Sequence, residues 1–177
     1  MRPASMLASC AAATLIVAAA PAVADDGPDL QPAPQAAIVA GAKACLGATV
    51  DPAGQTSRLA GWSPATPEQR KGMSADSDAD VVTRDNVVIA YKTGQDGGCV
   101  VMARGDTAFD PTTFYPQISA VVGANVPQPA ADAKPAPVAL PNGEMIVPVI
   151  TPKTASAAPT IVLVIANSAG KFAKKGN

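Results

Sequence analysis

Three cysteines, a scatter of aspartates and one Ser-x-x-Lys run are the residues of this 177-residue chain with types suited to chemistry. A cysteine attacks only as its thiolate, and a base or a positive neighbour must favour that form. The chain contains no histidine. That excludes Ser-His-Asp and Cys-His catalysis and every histidine-based metal site. Nor is there a Cys-x-x-Cys. The alternative chemistry for Cys45 and Cys99 is to pair with each other, which an even number of cysteines does in an oxidising compartment. They are 54 positions apart. By chain entropy, closing a loop of that length stabilises the fold by about 4 kcal/mol, less any strain.

The carboxylates read as turn chemistry. Asp76-Ser-Asp78-Ala-Asp80 has the spacing of half a calcium loop, but Val81 stands where glycine is needed and Val87 where the bidentate glutamate belongs. These are expected to be solvated loop acids, and no metal or other cofactor is expected. Asp96, Asp106 and Asp110 lie near strand ends. Two such acids suffice in principle for glycoside hydrolysis, yet all sit among glycine, proline or threonine, where aspartate serves turns. Ser168-Ala-Gly-Lys171 and Lys92-Thr93-Gly94 match two signatures of the serine β-lactamases. Their order is reversed, Ser-Asp-Asn is missing and the chain is too short, so they are set aside. Arg104-Gly105-Asp106 is the adhesive tripeptide, here directly after a strand pattern, where Gly-Asp makes an ordinary turn.

The first residues fix the compartment that the cysteines meet. Arg2 is followed by an apolar run from Met6 to Ala20, then by the small residues Ala22-Val23-Ala24 and by Asp25-Asp26. This is the anatomy of a cleaved signal peptide over residues 1–24, with cleavage between Ala24 and Asp25. Leu7-Ala8-Ser9-Cys10 also fits a lipidation site. There the apolar region should come before the cysteine, but its strongest part, Leu15-Ile16-Val17, comes after. Cys10 is therefore expected to leave with the leader. What remains has 153 residues (177 less 24), enough for one domain with a real core. It carries 12 basic residues (13 less Arg2) against 14 acidic ones, a net charge of −2. Such a balance does not suit nucleic acid.

The elements that must position these residues follow from periodicity. Residues 25–34 read as a flexible leader, rich in aspartate and proline. In "QAAIVAGAKACLGA", Ile38, Ala42, Cys45 and Leu46 recur at helical spacing, and Gly47 is a stop. The stretch from Thr49 to Asp80 reads as loop, with one capped helical turn at Thr66-Pro67-Glu68-Gln69. Trp62 within it reads as a lid over one end of the core. "NVVIAYK" and "GCVVMARG", joined by "TGQDG", predict a β-hairpin with Cys99 near the start of its second strand. Phe114, Ile118, Val121 and Val122 predict a second helix starting near Thr113–Tyr115, so that Pro116 falls in the first turn. A Pro/Ala-rich loop spans 126–142. "EMIVPVIT" and "PTIVLVIANS" predict two more strands, with Pro148 marking an edge. Residues 167–177 form a basic tail.

The expected fold is a single α+β domain over 35–166, in the order α-β-β-α-β-β. A four-stranded antiparallel sheet would carry two helices on one face and one disulfide, Cys45–Cys99. Its other face would be open or partly covered by the long loops, and an open face suits binding, with Trp62, Tyr91 and Tyr115 as the aromatic residues for such a surface. The function expected from these features is that of a periplasmic or secreted bacterial envelope protein. It would act by binding another envelope or extracellular protein, as an inhibitor or accessory subunit, and not by catalysis. The alternatives are a carboxylate- or thiol-based hydrolase, and a structural envelope protein anchored by lipid on Cys10.

Overall fold

A computed structural model describes residues 30–71, 73, 78–130, 133–151 and 158–170. Its strands are β1 (Pro32–Ala33), β2 (Ser63–Pro64), β3 (Asp80–Arg84), β4 (Val87–Lys92), β5 (Gly98–Gly105), β6 (Val138–Ala139), β7 (Glu144–Thr151) and β8 (Thr160–Asn167). The helices are α1 (Gln35–Cys45), α2 (Gln55–Arg58), α3 (Pro67–Arg70) and α4 (Pro111–Val122). Residues 1–29, with Cys10, Ala24 and Asp25, and residues 171–177 of the expected basic tail lie outside the described residues, while Asn167, the first residue of that expected tail, closes β8.

Helix α1 follows the predicted pattern. Pro34 precedes it in extended conformation, and the Pro34 carbonyl accepts from the amides of Ala37 and Ile38. Ile38, Ala42 and Cys45 are buried on one stripe. Gly41 lies on the same side because the sheet comes too close for a side chain. A Cβ there would stand 2.9 Å from Val101 Cγ1 and 3.1 Å from Val87 Cγ1. The helix ends where Leu46 turns extended and Gly47 takes a φ of +85°, which glycine adopts without strain.

Among the described residues the chain is α+β with an antiparallel sheet and one disulfide, but the sheet has eight strands, not four, and beside the two expected helices stand two single turns, α2 and the expected capped turn α3. The main path runs β2-β3-β4-β5-β8-β7-β6, all antiparallel, and β1 adds a short parallel pairing to the end of β5. The predicted hairpin is β4–β5, with Tyr91 opposite Cys99. The second hairpin is β7–β8, and β8 pairs with β5 to join the two. The strand hidden from periodicity is β3. It is five residues long and follows a run of aspartates, but it turns into β4 through Asp85 and Asn86, both at positive φ (50° and 64°). Two consecutive left-handed residues make a type I′ hairpin turn. The other extra strands, β1, β2 and β6, are two residues each, too short to show any period.

Two further expectations change. Leu30 and Ala33, from the stretch read as flexible, are buried, and Asn86 Nδ2 donates to the Pro32 carbonyl at 2.8 Å. Helix α4 starts at Pro111, earlier than predicted, and takes Pro116 inside it. Asp110 caps it by accepting from the Thr112 amide, and Pro111 occupies the first position, where no amide is needed. Pro116 sits on the exposed side. Gly123 ends the helix at a φ of +66°.

The two faces of the sheet are covered unequally. The inner face carries Val87, Ile89, Cys99, Val101, Ala103, Ile146, Ile161, Leu163 and Ile165, all fully buried. They form one core with Ile38, Ala42 and Cys45 of α1 and Phe114, Ile118 and Val122 of α4. On the outer face, Leu30, Ala65 and Met73 cover Val81, Val88 and Ala90 of β3 and β4. Past β4 six aliphatic or thioether side chains on the outer face of β5, β8 and β7 are half-buried, Val100, Met102, Val162, Val164, Val147 and Val149, between exposed Arg104 at one end and buried Ala166 at the other. Register aligns them in two rows, Val100–Val164–Val147 and Met102–Val162–Val149.

Strand β7 meets β6 only at Met145 and Ile146. The Glu144 carbonyl accepts from the Leu140 amide, so the backbone groups of 144, 146, 148 and 150 point to that edge. Pro148, which has no amide proton, therefore stands on the side that β6 leaves bare, as its type predicts. Among the described residues no helix is long and apolar enough to cross a membrane.

Candidate functional site

The disulfide is formed. Cys45, the last residue of α1, joins Cys99 of β5 across a Cα separation of 5.5 Å, and both residues are fully buried. The oxidised chain thus offers neither sulfur as a nucleophile.

Beside this bond lies the one buried acid among the described residues, which the sequence pattern does not single out. Glu144 opens β7 at 0 % exposure. Its Oε2 accepts from the Gly47 amide at 2.8 Å and from Asn142 Nδ2 at 2.7 Å. Its Oε1 accepts from the Thr49 amide at 3.1 Å and the Thr49 hydroxyl at 2.8 Å. Three of these four partners can only donate, so both carboxyl oxygens of Glu144 act as acceptors here. Asn142 is fixed in turn, because its Oδ1 accepts from the Glu144 amide at 3.1 Å. No ion pair joins Glu144 among the described residues.

The same corner of the chain is held from other sides. Gln55, itself buried, donates to the Ala44 carbonyl at 3.2 Å, and the Gly94 amide donates to the Ala48 carbonyl at 3.2 Å. Arg58 donates to Gln55 Oε1, and pairs with Asp51 at 2.7 Å. Residues 44–49 are thus tied to α2, to the β4–β5 loop, to β5 and to β7. The only sequence clue to Glu144 is its company: one of two glutamates in the chain, between a Pro-Asn-Gly turn and an apolar strand.

Asp78, Asp106 and Asp110 serve local structure. Asp110 accepts from both the amide and the hydroxyl of Thr112, and these bonds hold its carboxyl below the usual carboxylate range. Asp106 accepts from the Ala108 amide at 2.9 Å in a turn. Asp78 pairs with Lys92, whose ammonium lowers the Asp78 pKa. Asp76 lies outside the described residues. Gly105 of the adhesive tripeptide is buried against Phe109, its amide on the Pro159 carbonyl at 2.8 Å. Ser168 donates to the Gly143 carbonyl at 2.7 Å, and Lys171 lies outside the described residues.

The three aromatics expected at a surface stand apart. Trp62 is half-buried over Gly41 of α1, with the Arg84 guanidinium 5.7 Å from its ring centre. Tyr91 is half-buried at the opposite end of β4 from Val87, about 13 Å along the strand. Burial first, then the charge and hydrogen bond of Asp80, raise the Tyr91 phenol above its ordinary value. Tyr115 is a core residue, 4 % exposed, with its ring edge-on to Phe114 at 5.8 Å. It presents no surface for binding.

No family model, curated protein or solved structure matches the chain. Its functional reading therefore rests on its own residues. Two features stand out: the tied corner at the end of α1, and the apolar rows on the outer face of β5, β8 and β7. The corner is saturated, with every polar group of Glu144 engaged. The outer rows are half-open and carry no charged side chain.

Proposed function

We propose that this chain is an exported bacterial envelope protein that binds another envelope or extracellular protein, as an inhibitor or accessory subunit, and catalyses no reaction. The observation that carries the reading is the half-open apolar face. Val100, Met102, Val162, Val164, Val147 and Val149 form two contiguous rows without a charge, on strands held rigid by the core beneath them. Taking such a surface out of water is favourable, and contiguous apolar patches mark interaction sites more often than isolated side chains do. The signal-peptide pattern and the closed disulfide support an oxidising compartment. The buried Cys45–Cys99 bond and the turn-forming roles of the aspartates weigh against the thiol and carboxylate hydrolase readings.

The test uses the chain recovered from its native envelope with a photo-crosslinking residue at Val164, or at Ala36 on the exposed side of α1 as control. The expected result is a discrete heteromeric adduct from position 164 and none from 36. Intact mass should place the start at Asp25, with thiol label taken up only after reduction. Absence of any adduct at 164 would overturn binding through this face. A chain beginning at lipid-modified Cys10 would replace the reading with an anchored structural protein, and thiols that label without reduction would favour the thiol enzyme.

A further inference from the structure

The tied corner has a consequence that is independent of what the chain binds. Both sulfurs of Cys45–Cys99 are fully buried, so a reductant in water reaches them only after something opens. Cys45 is the last residue of α1, and the chain that follows it is pinned by Glu144 through Gly47 and Thr49. Across the sheet, Cys99 lies opposite Ile165, and Ile165 opposite Ile146, two residues from Glu144 on the same face. The bond and the carboxylate therefore grip residues 44–49 from neighbouring positions at one end of the sheet.

We propose that Glu144 is a latch controlling access to the disulfide: the bond is reduced when the 44–49 corner lifts from the sheet end, without global unfolding. The chemistry is thiol–disulfide exchange with a small dithiol reductant. One thiolate of the reductant attacks Cys45 Sγ, and the electron pair of the S–S bond leaves on Cys99 Sγ, which takes a proton from water. The second thiolate then displaces Cys45 Sγ, which is protonated in turn. Both cysteines end as thiols, and the dithiol ends as a cyclic disulfide.

Glu144→Gln tests the latch at nearly constant shape. Whichever oxygen becomes the amide nitrogen then faces partners that also donate, so the corner is held less tightly. Thr49→Val removes one donor and keeps the backbone. The oxidised full-length mature chain is treated with dithiothreitol under native conditions, and free thiols are trapped by alkylation over time. Reduction of Glu144→Gln should be about tenfold faster or more, the scale set by one lost charge-assisted hydrogen bond. Thr49→Val should move the same way by less, and all three chains should react alike in denaturing urea. The acceleration must exceed the rise in each variant's global unfolding constant, measured by urea titration.

The wild-type chain supplies a second test should Glu144→Gln fail to fold. Local opening exposes little surface, so its reduction rate should depend only weakly on low urea. An unchanged rate in both variants, an acceleration equal to the change in the unfolding constant, or a wild-type rate rising with the full unfolding slope would each overturn the latch. The first would show that Glu144 does not control the opening, and either of the others that the bond opens only when the whole domain does.

Discussion

On β8, Ile161, Leu163 and Ile165 lie fully buried under the helices, while Val162 and Val164, on the same strand, are only half covered. The alternation is that of side chains pointing to opposite faces, but not the usual alternation of apolar and polar residues. Both faces are aliphatic. What separates them is what lies on top. The inner face meets α1 and α4, brought close by Gly41 and the small residues around it. The outer face meets Leu30, Ala65 and Met73 over β3 and β4, with Met102 of β5 at the margin of that cluster, and among the described residues no equivalent buried cluster lies over the rest of β5, β8 and β7. A strand that is apolar on both sides has a second face fit to be covered, which is why the proposed binding surface is placed on the less covered half.

Three experiments break or sharpen this contrast. The largest effect is expected from the staple under the inner face. Replacing Cys45 and Cys99 together by alanine should cost up to about 4 kcal/mol of unfolding free energy by urea titration. A loss well under 1 kcal/mol would mean that helix and strand hold together without it. Next is the pair on β8. Leu163→Ala should cost about 3 kcal/mol, since it empties a filled core position. Val164→Ala, its neighbour on the outer side, should cost about 1 kcal/mol or less in the isolated chain. Equal losses would show that the outer face is as fully packed as the inner one.

The smallest effect concerns the cap of α4, one cover of the inner face. Asp110 binds its proton less tightly in the folded chain than in the unfolded one, because Thr112 donates to it twice. Its contribution is therefore complete above the ordinary carboxylate range and is lost as pH falls through the lowered folded value. Asp110→Asn should flatten the acid side of the stability–pH curve slightly. An unaltered curve would remove the cap from the account.

Much of this was legible locally. The Val87–Lys92 and Gly98–Gly105 strands announce themselves by β-branched runs around a glycine-rich turn, and α1 by the spacing of Ile38, Ala42 and Cys45. Asp85-Asn86 was a signal in plain view: two residues that tolerate left-handed backbone, between valine-rich stretches, mark the turn that makes β3 a strand. The burial of Glu144 left no such trace. Its donors at Gly47 and Thr49 come from residues 97 and 95 positions away. A carboxylate at a strand start otherwise looks like a solvated one. Tyr115 misled for the same reason: its helix face is apolar on more than one side, and only the packing against Phe114 shows which side faces inward.

By itself the sequence determined the hydrophobic periods, the turns and caps, and the absence of histidine, because each depends on residues within a few positions or on composition alone. The tertiary structure alone decided which aliphatic face of the sheet is covered, how many short strands extend it, and that Glu144 closes the corner beside the disulfide. Those outcomes depend on groups far apart in the chain that meet only when the core has formed, and a local pattern carries no record of what will be placed opposite it.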